Sequence, residues 1–152
     1  MNYLDEYYQT GVMGLDELKR LNIGSMIMEP LRGGRLVQNI PPEVQKLWDC
    51  AEVKRTPVEW ALEYLWNRDD VDCVLSGMNS LEQVKQNIQI ASNVKEISES
   101  DQDLIREVAR TYKTLTGNEC TSCGYCMPCP EGVDIINCFN EYNLSLIHIS
   151  EP

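Results

Sequence analysis

Ser25-Met26-Ile27-Met28-Glu29-Pro30-Leu31-Arg32-Gly33-Gly34 joins a short apolar run to a loop that no regular structure can continue. The run has the length of a buried strand. Pro30 and the Gly33-Gly34 pair break helix and strand alike. The same pattern returns at Cys73-Val74-Leu75, followed by Ser76-Gly77-Met78-Asn79. Helical periodicity surrounds both. Residues 8–21 place Met13, Leu15 and Leu18 at apolar positions, and a second helix starting near Pro41-Pro42 carries Val44, Leu47 and Trp48. Thr56-Pro57-Val58-Glu59 combines a threonine cap, proline at the first helical position and glutamate three residues after the cap. Val58, Ala61, Leu62 and Leu65 then share a face, and Asp69-Asp70 end the helix. Ser80-Leu81-Glu82-Gln83 is a second capping box, with Leu81, Val84 and Ile88 expected inside. A helix from Ser100 carries Leu104, Ile105 and Val108 and stops by Gly117, and a short one passes through Ile135, Ile136 and Phe139. Strands alternating with helices predict a parallel α/β sheet under helical cover. A parallel sheet of two or three strands would leave bare edges, so further strands are expected upstream.

The balance of 24 acidic against 13 basic residues gives a formal net charge of −11. Such a chain repels phosphate backbones, which argues against nucleic acid or an anionic membrane as partner. It fits solubility first, and docking to a basic redox partner second. No apolar run approaches the roughly 20 residues of a membrane helix. The start, Met1 to Glu6, has neither the basic nor the apolar region of a secretory signal. The expected location is cytoplasmic.

Five of the seven cysteines lie between 120 and 138. In a reducing compartment such a cluster means metal. Cys120-Thr121-Ser122-Cys123-Gly124-Tyr125-Cys126-Met127-Pro128-Cys129-Pro130 reads C-x2-C-x2-C-x2-C-P. Closely spaced thiolates ending in Cys-Pro are how a loop wraps a [4Fe-4S] cluster. Gly124 allows the sharp bend, and Pro128 and Pro130 stiffen the exit. Zinc is the alternative, as the core of a small interaction domain. It normally takes two C-x2-C units separated by a spacer of about 12–20 residues, which is missing here. The expected metal ligands are Cys120, Cys123, Cys126 and Cys129. The bacterial ferredoxin run has three residues before its last cysteine and this one has two, so Cys138 is the other candidate for fourth ligand. Cys50 and Cys73 sit among apolar residues and read as buried structural thiols.

Met28 to Leu36, Leu75 to Met78 and Cys120 to Pro130, in this order, resemble the ferredoxin-tailed branch of the aldo/keto reductases. Asn2 to Glu6 is similar to the segment after that family's sixth barrel strand. The resemblance implies the C-terminal part of a (β/α)8 barrel over residues 1–116, with strand seven at 25–28 and strand eight at 73–75. A ferredoxin-like 4Fe-4S segment at 117–143 would follow. It places the two loops at the end of the barrel where such enzymes work. By motif position Glu29, Pro30, Leu31, Arg32 and Gly33 would face the pyrophosphate of NAD(P)H, with Arg32 as the cation for a phosphate. Gly77, Met78, Asn79, Gln83, Gln86 and Asn87 would lie near its adenosine end. Met28 stands where many reductases stack an aromatic residue on the nicotinamide, and the basic residue that many carry near Gly77 or Gln83 is missing. The family's catalytic Asp, Tyr, Lys and His belong to the first half of the barrel, so no catalytic residue is assigned and this chain alone is expected to be inactive.

The resemblance implies an oxidoreductase acting on a small-molecule carbonyl or alcohol, with the cluster passing electrons to or from a redox partner protein. Hydride transfer moves two electrons and a cluster one, so a two-electron relay such as a flavin would have to join them. No flavin motif is visible. The alternative from another class is a non-enzymatic electron-transfer module on a barrel scaffold. Residues 144–152 break from the family pattern and resemble the in-frame translation of a transposase sequencing adapter. On that reading His148 is neither ligand nor base.

Overall fold

The structure is a computed structural model that describes residues 1–118, 120, 122 and 124–149, with side chains described as far as 145. Its elements in chain order are α1 (Gly11–Arg20), β1 (Met26–Ile27), α2 (Pro42–Asp49), α3 (Pro57–Trp66), β2 (Cys73–Val74), α4 (Leu81–Ser92), α5 (Glu99–Leu115) and α6 (Ile135–Ile149), with a 3-10 turn at Arg32–Gly34. The two strands pair in parallel, Met26 opposite Cys73 and Ile27 opposite Val74. The expected α/β class is therefore present, as a two-stranded parallel sheet with helices. Among the described residues these two strands form the sheet, which by itself closes no barrel.

Ser25 and Asp72 set the register. The Ser25 N–H donates to the Asp72 carboxylate (2.6 Å), and the Asp72 N–H donates to Ser25 Oγ (3.0 Å). Ser25 Oγ also donates to the Asp70 carbonyl (2.7 Å). This exchange pins the strand entrances before the two ladder bonds, Cys73 N–H to Ser25 O and Leu75 N–H to Ile27 O, are made. Ile27 is buried against the helices, whereas Met26 and Cys73 share the exposed face.

The core lies where α2, α3 and α5 meet. Trp48 of α2 stacks on Trp60 of α3 with ring centroids 4.5 Å apart, and Val44, Ala61, Leu65, Ile105 and Val108 fill the space around them. The Arg55 guanidinium sits 4.5 Å over the Trp60 ring. Its Nε donates to Glu63 (2.7 Å), Nη1 to Asp101 (3.1 Å) and Nη2 to the Glu96 carbonyl (2.8 Å). The Arg55 and Glu63 side chains are 0% and 1% exposed. The charges are thus matched inside the protein rather than solvated.

The helix starts follow their caps. Thr56 and Glu59 form the complete capping box expected for α3. The cap of α5 is Ser98, two residues before the expected start, with Asp101 as its reciprocal partner. At α4 only half of the expected box forms. Ser80 accepts from the Gln83 N–H, while the Gln83 side chain turns back to accept from Asn79 N–H instead. The first helix begins at Gly11 rather than residue 8. Gly11 has φ +48°, and a side chain there would meet the Glu6 carbonyl at 2.2 Å.

Three expectations about burial fail. Leu81 and Ile88 of α4 are exposed, and the buried residue is Ile90, which lies beside Thr56 and Glu59 at the start of α3. Met13 of α1 points to solvent. Cys50 and Cys73 are exposed. Cys50 follows the last turn of α2, where its thiol reaches the Lys46 carbonyl, and Cys73 faces away from the helices. The last helix, α6, runs through Ile149, and residues 150–152 lie outside the described residues.

Replacing Arg55 with Met should lower stability by about 3–5 kcal/mol, because Glu63 and Asp101 would stay buried without a countercharge. Urea unfolding measures this. A loss under about 1 kcal/mol would show that the network is not what holds α3 to α5.

Candidate functional site

A cleft of about 700 Å³ opens at the C-terminal ends of both strands. One wall is Met28, Glu29, Pro30, Leu31, Gly33 and Gly34, which leave β1, with Val37 and Gln38 beyond them. The other is Leu75, Ser76, Gly77, Met78 and Asn79, which leave β2. Gln83, Gln86 and Asn87 of α4 and Val58 of α3 complete it. Ligands of parallel α/β proteins collect at this end of the strands, because the loops there diverge from a fixed sheet.

Main-chain geometry shapes the first wall. Glu29, Arg32, Gly33 and Gly34 have φ of +55°, +50°, +64° and +92°, so the left-handed region is used four times in six residues. For Glu29 and Arg32 that conformation costs on the order of 1–2 kcal/mol each. Such cost tends to be stored at binding sites. The loop is held by Arg32 N–H to Glu29 O (3.1 Å) and Gly34 N–H to Leu31 O (2.9 Å). Buried Asn2 donates to the Glu29 carbonyl from the other side (3.3 Å). The second wall is tied to α4 by Gln83 accepting from Asn79 N–H (2.9 Å) and Asn87 donating to Ser76 Oγ (3.2 Å).

Ten of the eleven residues expected at a nucleotide therefore line one cavity. Arg32 is the eleventh, and it is elsewhere. Its side chain lies away from the cleft, 9% exposed and paired with Asp5 (Nε to Oδ2, 3.2 Å) beside Leu4 and Tyr112. The contact is one of charge without hydrogen-bond alignment. Burial pushes the neighbouring Tyr112 hydroxyl up to about 12. Among the described residues lining the cleft, Glu29 alone carries a charge. Sequence reasoning missed Val58, Val37 and Gln38, which reach the cleft from outside the two loop motifs.

The cysteine segment follows α5. Cys120 and Cys129 are half-buried, and Cys126 and Cys138 are exposed. Cys123 lies outside the described residues. Ser122 and Gly124 have φ of +59° and +80°, and Met127 N–H closes a turn on the Gly124 carbonyl (2.9 Å). Among the described residues no three of His, Cys, Asp and Glu stand together as a metal-binding group. Buried Asn143 of α6 anchors the segment, accepting from the Gly117 and Asn118 N–H groups (both 3.1 Å). Arg35 reaches across from the cleft loop to the Cys120 carbonyl, Ser122 Oγ (3.1 Å) and Asn140. Neither Arg35 nor Asn143 was visible as a site residue, since their partners are 25 to 105 positions away.

No protein-family model matches this chain. No curated protein matches it either. Among solved structures, the aldo-keto reductase AKR11C1 from Bacillus halodurans, in its holo form, superposes with a TM-score of 0.56 at 21% sequence identity. The match covers 71% of this chain and 40% of that one. The likeness is one of fold.

Proposed function

We propose that this chain is part of an aldo/keto reductase-like oxidoreductase whose cleft takes a nicotinamide dinucleotide and whose cysteine segment binds a [4Fe-4S] cluster. The observation that carries the reading is the convergence of the loops after β1 and β2, with one face of α4, on a single cleft at the C-terminal ends of parallel strands. Its volume of about 700 Å³ lies in the range of small-molecule and cofactor sites, about 300–1,000 Å³. The aldo-keto reductase fold of the structural neighbour supports it, as does that neighbour's holo form. The chain spans 40% of that neighbour, so catalytic residues and substrate pocket belong to the proposal for the whole protein. The exposed face of Met26, Met28 and Leu75 is what the interior of a closed barrel would cover.

Each part of this cleft has a task. The β1 loop offers main chain to the pyrophosphate, with Pro30 and Leu31 as its apolar edge. The first turn of α4 borders the cleft and contributes the partial positive charge of a helix N-terminus. Asn79, Gln83, Gln86 and Asn87 offer amides to the adenosine end. Arg32 supports the loop from behind through Asp5 and does not serve as the phosphate ligand.

The donor set at 120–129 fits iron by its chemistry, four thiols on a loop bent twice by left-handed backbone at Ser122 and Gly124. Cys120, Cys126 and Cys129 are not drawn together beforehand, so binding and closure of the loop would be one event. A bound cluster supplies one-electron transfer. Residues 1–116 and 117–143 are then the barrel part and the cluster part, in a reducing compartment such as the cytoplasm. The carbonyl substrate and the redox partner protein belong to the same proposal, and residues 144–152 stay outside it.

Two experiments test this. Anaerobic reconstitution of the full chain should give a brown protein with about four irons. Cys126→Ser should abolish it and Cys138→Ser should not. One colourless zinc per chain would contradict the cluster. In titrations followed by tryptophan fluorescence, Gln86→Arg should tighten NADPH over NADH by about tenfold, since it adds a charged donor at the adenosine end. Equal effects on both nucleotides, or none, would remove the adenosine end from α4.

A further inference from the structure

We infer that Arg35 is a positioning residue that fixes the cysteine segment to the cleft loop and supplies the countercharge for a metal centre held there. The countercharge half rests on the cluster reading above; the positioning half does not.

Arg35 directly follows Gly34, the last residue of the 3-10 turn on the cleft wall. Its N–H donates to the Arg32 carbonyl, so its backbone belongs to that turn. Its guanidinium leaves the turn and donates to three acceptors, the Cys120 carbonyl, Ser122 Oγ and Asn140 Oδ1. The first two flank the entry to the cysteine loop and the third lies on α6. One planar fork thus holds both sides of the segment, and lysine could not reproduce that geometry. A displacement of the cleft loop would be carried to Cys120 by this side chain.

The charge pattern makes the same residue special. Beyond Lys113 the sequence contains no lysine or arginine, while Glu119, Glu131, Asp134, Glu141 and Glu151 fall there. Among the described residues no other Lys or Arg hydrogen-bonds to 117–134. Four thiolates around iron add negative charge to a segment that has no cation of its own. Reduction adds one electron and no compensating charge. A fixed guanidinium beside Cys120 therefore favours the reduced state over the oxidised one, and removing it should lower the potential.

The test compares the wild-type chain with Arg35→Gln and Arg35→Lys. Hydrogen exchange of the metal-free chain reads positioning. Both variants should speed exchange at 117–124 by about tenfold, the equivalent of one or two lost hydrogen bonds. The midpoint potential of the reconstituted chain reads charge. It should fall in Arg35→Gln and fall less in Arg35→Lys, which a purely structural role would not produce. Unchanged exchange in both variants would overturn the positioning role. Equal potentials in all three proteins would overturn the countercharge. Failure of the wild-type chain to take up iron would overturn the countercharge together with the cluster reading, while exchange would still decide the positioning role.

Discussion

The architecture depends on a buried cation. The Arg55 side chain has almost no contact with solvent, yet it touches α3 through Glu63, α5 through Asp101, and the segment before α5 through Glu96. It also lies on Trp60, whose other neighbour is Trp48 of α2. Burying three charged groups is costly, and the cost is offset only when every charge is met at short range. That requirement is directional in a way that apolar packing is not. It fixes α3 against α5, with α3 carrying Val58 to the cleft and α5 delivering the chain to the cysteine segment.

What could be read from the sequence was what local chemistry decides. Thr56 and Glu59 announce a helix because both groups of the capping box lie within four residues. The β1 and β2 segments show themselves by short apolar runs that end in Pro or Gly. The cleft follows from the parallel pairing of those two runs, since both exit loops then open on the same side. The C-x2-C-x2-C-x2-C spacing is as local as a motif can be, and the described residues do not show it gathered round a metal.

What escaped was decided by distant partners. Arg32 is the cation expected at a phosphate, and its placement away from the cleft lining was not visible in the loop itself. Its side chain pairs with Asp5, 27 positions earlier in the chain, and not with the cleft. Leu81 and Ile88 have the right spacing for an inner face of α4, but both are exposed and Ile90 is the residue that is buried. Periodicity says which residues share a face and not whether another element covers it. Cys73 belongs to a sheet whose alternation puts Ile27 and Val74 inward, and so leaves Met26 and Cys73 outward. Arg35 reads as one more loop arginine until the chain returns 85 residues later.

The cleft and the cysteine segment are joined through one short stretch, residues 28 to 35. Its first part walls the cleft and its last residue grips Cys120. The most direct test of the account is a two-dimensional NMR spectrum of the side-chain amides of the full chain, recorded as NADH is added. The account predicts that the Asn79, Gln83, Gln86 and Asn87 resonances move together while Arg32 Nε–H stays still. Shifts centred instead on Arg32, or on Gln89 and Asn93 at the far side of α4, would contradict it.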